Sequence, residues 1–156
     1  MAKKRNIIVG QSGGPTAVIN SSLAGVYKNA IERGFDKVYG MLHGIQGLLD
    51  EQYIDLSTQI HSELDIELLK RTPSAFLGSC RYKLPEIHED KAIYEKIFEI
   101  LNKLDIYAFI YIVDCFRNTK ELLSLSCKNR IIRQFLDRIH GIISANVDKR
   151  IDIQFI

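Results

Sequence analysis

The sequence predicts an α/β protein: part of a doubly wound, mainly parallel sheet with flanking helices. Three observations carry that reading. Ile7-Ile8-Val9 is a short apolar run with charge on one side and Gly10 on the other, the pattern of a strand covered on both faces. A glycine-containing break and a helical repeat follow, and Lys37 to Met41 then reads as a second short strand, so the chain opens strand, loop, helix, strand. Much later, Tyr107 to Val113 forms another strongly apolar run behind an amphipathic helical pattern.

The first strand is expected over Asn6 to Gly10, with Gln11-Ser12-Gly13-Gly14-Pro15 unable to continue it. Pro15 suits the first turn of a helix, where its missing N–H is not needed. Val18, Ile19, Ser22, Leu23, Val26, Tyr27, Ala30 and Ile31 recur at helical spacing, and Gly34 after Arg33 is a C-terminal stop. Gly40, Gly44 and Gly47 make the next stretch a loop with room for one helical turn. Glu51 to Ile60 reads as one or two edge strands. Asp65 to Arg71 is a short helix that ends before Pro73, and Phe76 to Leu84 is an ordered loop. Glu89 to Leu104 is a helix with Ile93, Ile97, Ile100, Leu101 and Leu104 on one stripe and acids crowding its first turn.

The last third has a different texture. Asn118 and Glu121 stand at capping-box spacing, and Asn129 stands ahead of a helix carrying Ile132, Phe135, Leu136, Ile139 and Ile143. If that stripe does not pack on the sheet, it drives self-association. Asp152 to Ile156 resembles another buried strand. The expected organisation is an α/β region over 1–112, a mainly helical segment over 113–150, and a strand over 151–156.

Composition excludes several classes of function. The 156 residues suffice for one ordinary core, 46% of them hydrophobic and 26% charged. A net charge of +2 gives no case for nucleic acid, and no apolar run nears the roughly 20 residues that cross a bilayer. Cys80, Cys115 and Cys127 form no CxxC pair, and His43, His61, His88 and His140 are scattered. The cysteines therefore read as reduced thiols of a cytoplasmic protein, with no metal cluster.

Two segments carry candidate chemistry. In Ser12-Gly13-Gly14, glycine lets backbone N–H groups face an anion without a Cβ in the way, the following helix points its free N–H groups there, and Ser12 offers a hydroxyl. A tight strand-to-helix turn also favours glycine. The segment is neither a Walker A loop nor GxGxxG. In Gly78-Ser79-Cys80-Arg81-Tyr82, Arg81 offers a planar fork for phosphate oxygens, and a solvated surface arginine looks the same in sequence.

Taken together, Gly10-Gln11-Ser12-Gly13-Gly14-Pro15, then Asn20, then Gly40 to Leu48, then Leu77 to Lys83 resemble the N-terminal half of a phosphofructokinase in order and spacing. The resemblance runs from about residue 5 to about residue 112. The Cys80-Arg81-Tyr82-Lys83 wording is most similar to clostridial-type members, many of which use pyrophosphate. The resemblance implies phosphoryl transfer from ATP or pyrophosphate, with Mg²⁺, to the 1-hydroxyl of fructose 6-phosphate. It implies that Gly13 and Gly14 meet the donor phosphates and that Arg81 and Tyr82 meet the donor from a second loop. Ala24 stands where allosteric bacterial members carry arginine, which argues against effector binding of that kind.

The chain also departs from the family pattern. Where the family has Gly-Gly-Asp-Gly-Ser, this chain reads Val113-Asp114-Cys115-Phe116-Arg117-Asn118. Asp114 is the one residue there that could stand in for the metal-binding acid. The strand at Ile151 to Ile156 would lead, in the family, into the segment with the catalytic base, so no catalytic residue is assigned in this chain. The expectation is an incomplete phosphofructokinase that is inactive alone and does not bind fructose 6-phosphate without the C-terminal half. The alternatives are a non-catalytic phosphate or nucleotide binder and a structural interaction fragment.

Overall fold

The computed structural model describes residues 5–14, 17–82, 84–85, 88–114 and 152–155. The expected helical segment at 118–144, together with Pro15, Lys83, Cys115 and Cys127, lies outside them. The described elements are β1 (Asn6–Gly13), α1 (Ala17–Glu32), β2 (Val38–Met41), α2 (Gly44–Leu49), β3 (Tyr53–Asp55), a 3₁₀ turn (Leu56–Thr58), α3 (Glu63–Arg71), α4 (Lys91–Lys103), β4 (Ile106–Asp114) and β5 (Asp152–Phe155).

The sheet has the order β3-β2-β1-β4-β5. Strand β1 lies at its centre, parallel to β2 through Ile7 and Val38 and parallel to β4 through Ile8 and Phe109. Strand β5 extends the parallel sheet beyond β4, and β3 closes the opposite edge antiparallel to β2. This is the α/β, mainly parallel architecture read from the sequence. The ambiguous stretch after Glu51 resolves into one edge strand of three residues and a 3₁₀ turn.

Alternation along β1 divides the core. Ile7 and Val9 join Leu23, Val26, Tyr27, Ile66, Ala108 and Ile110 on the face covered by α1 and α3. Ile8 joins Ile45, Leu48, Ile97, Ile100, Leu101 and Phe109 on the face covered by α2 and α4. Burial of each such side chain contributes about 1.5–3 kcal/mol, so the two faces together hold the sheet between its helices.

Helix ends follow local chemistry. Ser62 and Asp65 form a reciprocal capping box at the start of α3, and Thr72 turns extended before Pro73. Gly34, at φ 78°, ends α1 with the N–H of Phe35 on the Ala30 carbonyl and its own N–H on that of Ile31, a Schellman closure.

Three local expectations are corrected. The first strand runs to Gly13, not Gly10, because β4 pairs with it all the way to Gly13 and Asp114. Val18 and Ile31 are 59% and 44% exposed, since the buried stripe of α1 passes through Ile19, Leu23, Tyr27 and Ala30, one residue away from each. The first turn of α4 contains no acid. Instead Asp90 is its N-cap, accepting from the Ile93 N–H.

Candidate functional site

The candidate site forms where β1 and β4 end. From β1 the chain leaves through α1, on one face, to reach β2 on one side. It reaches β4, on the other side, from α4 on the opposite face. Such a reversal opens a crevice at the carboxyl ends of the two central strands, where open α/β sheets bind their ligands. Ser12 and Gly13 lie at that end of β1, and Gly13 pairs in register with Asp114, the last residue of β4.

Gly13 has φ 99°, a conformation costly for any residue with a Cβ. It turns the chain out of the sheet toward α1. Gly14 is exposed, and a Cβ built on it meets nothing within 4 Å. The Ser12 hydroxyl donates to the Cys80 carbonyl at 3.2 Å. That contact sets the Gly78–Tyr82 segment beside the end of β1. Arg81 and Tyr82 follow directly and are exposed, Tyr82 by 38%. The structure thus brings Ser12 and Gly13 together with the segment that carries Arg81 and Tyr82. It places Asp114 by backbone register alone.

Beneath these residues lies a polar cluster that sequence reasoning missed. Gln11 and Asn20 are both wholly buried. The Gln11 amide nitrogen donates to the Ile19 carbonyl at 3.2 Å and to Asn20 Oδ1 at 3.1 Å, while its oxygen accepts from the Leu77 N–H at 2.9 Å. Asn20 donates to the carbonyls of Thr72 and Ser74 at 2.8 and 2.6 Å and accepts from the Phe76 N–H at 2.9 Å. Every donor on both amides is used, which removes the cost of burying them. Asn20 stood in the sequence pattern without a role. The available signal for Gln11 was a polar residue directly after an apolar strand.

Tyr111 lies on the other side of the same strand ends. Its hydroxyl sits 3.9 Å from Cys80 Sγ. Burial, reinforced by the neighbouring Cys80, pushes its pKa up to about 12. Gly44, at φ 62°, is required beneath it, because a Cβ there would lie 2.8 Å from the Tyr111 hydroxyl and 2.9 Å from Cys80 Sγ. The residue before it, His43, donates its N–H to the Leu77 carbonyl at 2.8 Å, so the turn at residues 43–44 also braces the second segment.

Among the described residues, no group of three or more His, Cys, Asp and Glu could hold a metal ion, and no helix is long and apolar enough to cross a membrane.

The family model described as Phosphofructokinase matches residues 6–124. A pyrophosphate–fructose 6-phosphate 1-phosphotransferase of Xanthomonas campestris pv. campestris is 43% identical over 106 residues, covering 68% of this chain and 25% of the relative. An ATP-dependent 6-phosphofructokinase of Actinobacillus pleuropneumoniae is 34% identical over 113 residues, covering 72% of this chain and 32% of the relative. The crystal structure of a pyrophosphate-dependent phosphofructokinase from Nitrosospira multiformis superposes with a TM-score of 0.71 at 29% identity, covering 96% of this chain and 33% of that one. This chain therefore spans about a quarter to a third of the length of these relatives.

Proposed function

The chain belongs to the phosphofructokinase family, and from that premise we propose that it forms the phosphoryl-donor site of a cytoplasmic fructose 6-phosphate phosphotransferase, with inorganic pyrophosphate as the donor. The observation that carries this is the Ser12 to Cys80 hydrogen bond, which sets two anion-suited segments side by side at the β1/β4 crevice. The backbone at Gly13 and Gly14 faces the donor phosphates, with no Cβ at either position to obstruct it. Arg81 supplies a guanidinium charge and two parallel N–H donors, and Tyr82 flanks it. Pyrophosphate is favoured over ATP because the relative at 43% identity is named for pyrophosphate and the ATP-named one reaches 34%. Asp114 is the acid in register with Gly13 at the end of β4, and a magnesium ion there would be carried mainly by the donor's own phosphates rather than by a protein cluster.

Binding and transfer are separate capacities here. From the end of β4 onward the chain reads Val113-Asp114-Cys115-Phe116-Arg117-Asn118, with no glycine pair to wrap a transferring phosphoryl group. The chain alone therefore binds the donor without phosphorylating fructose 6-phosphate. Calorimetric titration with pyrophosphate and ATP tests the first statement. Arg81 is exposed, so Arg81→Ala should fold normally and weaken pyrophosphate by about ten- to a hundredfold, the worth of a charged hydrogen-bonding group. Gly13→Val should abolish binding, with circular dichroism checking that the fold survives its unfavourable φ. Failure of the wild-type chain to bind pyrophosphate, or unchanged affinity in Arg81→Ala, sinks the assignment. Fructose 1,6-bisphosphate formed by the purified chain sinks the claim of inactivity.

A further inference from the structure

The buried amides of Gln11 and Asn20 are placed between the two anion-suited segments, not merely beneath one of them. Gln11 is the residue before Ser12 on β1, and its side-chain oxygen holds the Leu77 N–H, the residue before Gly78. Asn20 lies in the first turns of α1, and its side chain holds Phe76 and the carbonyls of Thr72 and Ser74. The two amides are joined at 3.1 Å. Movement of the β1–α1 turn is therefore transmitted to residues 72–77 through side chains that have no water to retreat to. Directly above, Ser12 makes the parallel tie to Cys80.

We propose that Gln11 and Asn20 are positioning residues: they hold the Gly78–Tyr82 segment in register with Ser12–Gly14, so that an anion seated at Gly13 is sensed at Arg81. Neither side chain is exposed, so neither touches the anion. A fully satisfied buried network suits this task, since each polar group left unpaired costs far more than a surface contact and the arrangement has few alternatives. The part of the proposal that concerns an anion rests on the donor-site reading above, whereas the mechanical tie does not.

The test uses the full chain and inorganic pyrophosphate, read by amide chemical shifts and hydrogen exchange. Gln11→Met keeps the side-chain length and removes all three of its hydrogen bonds. Exchange at Phe76 and Leu77 should quicken by about tenfold or more, while amides of the β2–β3 pair stay as in the wild type. Pyrophosphate should shift the amides of Gly13, Gly14 and 78–82 together in the wild type, and only those of Gly13 and Gly14 in Gln11→Met. A variant in which both sets still respond, or in which exchange at Phe76 and Leu77 is unchanged, overturns the proposal. If the wild type shows no response at Gly13, the donor-site reading falls. The tie is then judged on exchange alone, with quickening supporting it and no change refuting it. Should Gln11→Met fail to fold, Asn20→Ala, which removes the ties to Thr72, Ser74 and Phe76, carries the same measurements. Loss of the joint response there supports coupling through these ties, and its full retention overturns it.

Discussion

Alkaline pH should weaken this fold through one side chain, Tyr111. Its hydroxyl is held neutral between β4, the Gly44 turn and Cys80, with a pKa near 12 against an ordinary 10.0. A raised folded-state pKa means that the folded protein resists ionisation more than the unfolded chain does. The stabilisation is therefore complete below pH 10 and is lost as pH rises through about 12. The difference of about 2 units corresponds to about 2.7 kcal/mol, an upper bound because the ring is only half-buried. That is a large share of the 5–15 kcal/mol typical of a domain. Urea denaturation followed by circular dichroism between pH 9 and 12 would measure it, with Tyr111→Phe as the comparison. The wild type should lose stability across that window more steeply than Tyr111→Phe, which cannot ionise there. Parallel pH profiles for the two proteins would refute the assignment of the effect to this hydroxyl.

Other outcomes are equally direct. Gly47→Ala should destabilise by about 1–3 kcal/mol, because a Cβ there would overlap the Leu42 carbonyl, and backbone must shift in a turn where Gln52 donates to the Gly47 carbonyl at 2.7 Å. Gly14→Ala, with nothing within 4 Å of the new methyl, should leave the urea midpoint unchanged, and equal midpoints for the two variants would contradict the geometry. Ser62→Ala should cost about 1 kcal/mol by removing the cap of α3. Asp65, whose pKa is lowered chiefly by the His61 N–H and then by Ser62, should support α3 above pH 3.8 and cease to do so as pH falls. Asp65→Ala should accordingly differ from wild type at pH 7 and converge on it in acid.

What could be read from the sequence was local. Ile7-Ile8-Val9 and the run ending at Ile112 announce strands because parallel central strands are apolar on both faces. The stripe Ile97, Ile100, Leu101 announces α4 because helical spacing aligns them on one side. Gly13 was legible as the place where the chain turns out of the sheet because few residue types permit that backbone. Gln11 was not legible as a strand residue, since its burial depends on Leu77, 66 residues away. The meeting of Ser12 with Cys80 spans 68 residues and has no periodicity to betray it. Val18 misled for a related reason: spacing defines a stripe, but the sheet decides which side of the stripe is covered.

The central place of β1 also sets an order of assembly. Its partner β2 follows after a single helix, but its other neighbour arrives far later: the Arg5 side chain reaches the Ile106 carbonyl across 101 residues of chain. At synthesis rates of about 5–20 residues per second, the β4 side of β1 waits roughly 5–20 seconds for its strand. During that interval β1, α1, β2 and β3 can pair, while one edge of an apolar central strand stands open to any other extended chain. The strand that later presents Ser12 and Gly13 is thus the one most exposed to mispairing on the ribosome, and closing β4 against it ends that exposure and completes the crevice in a single step.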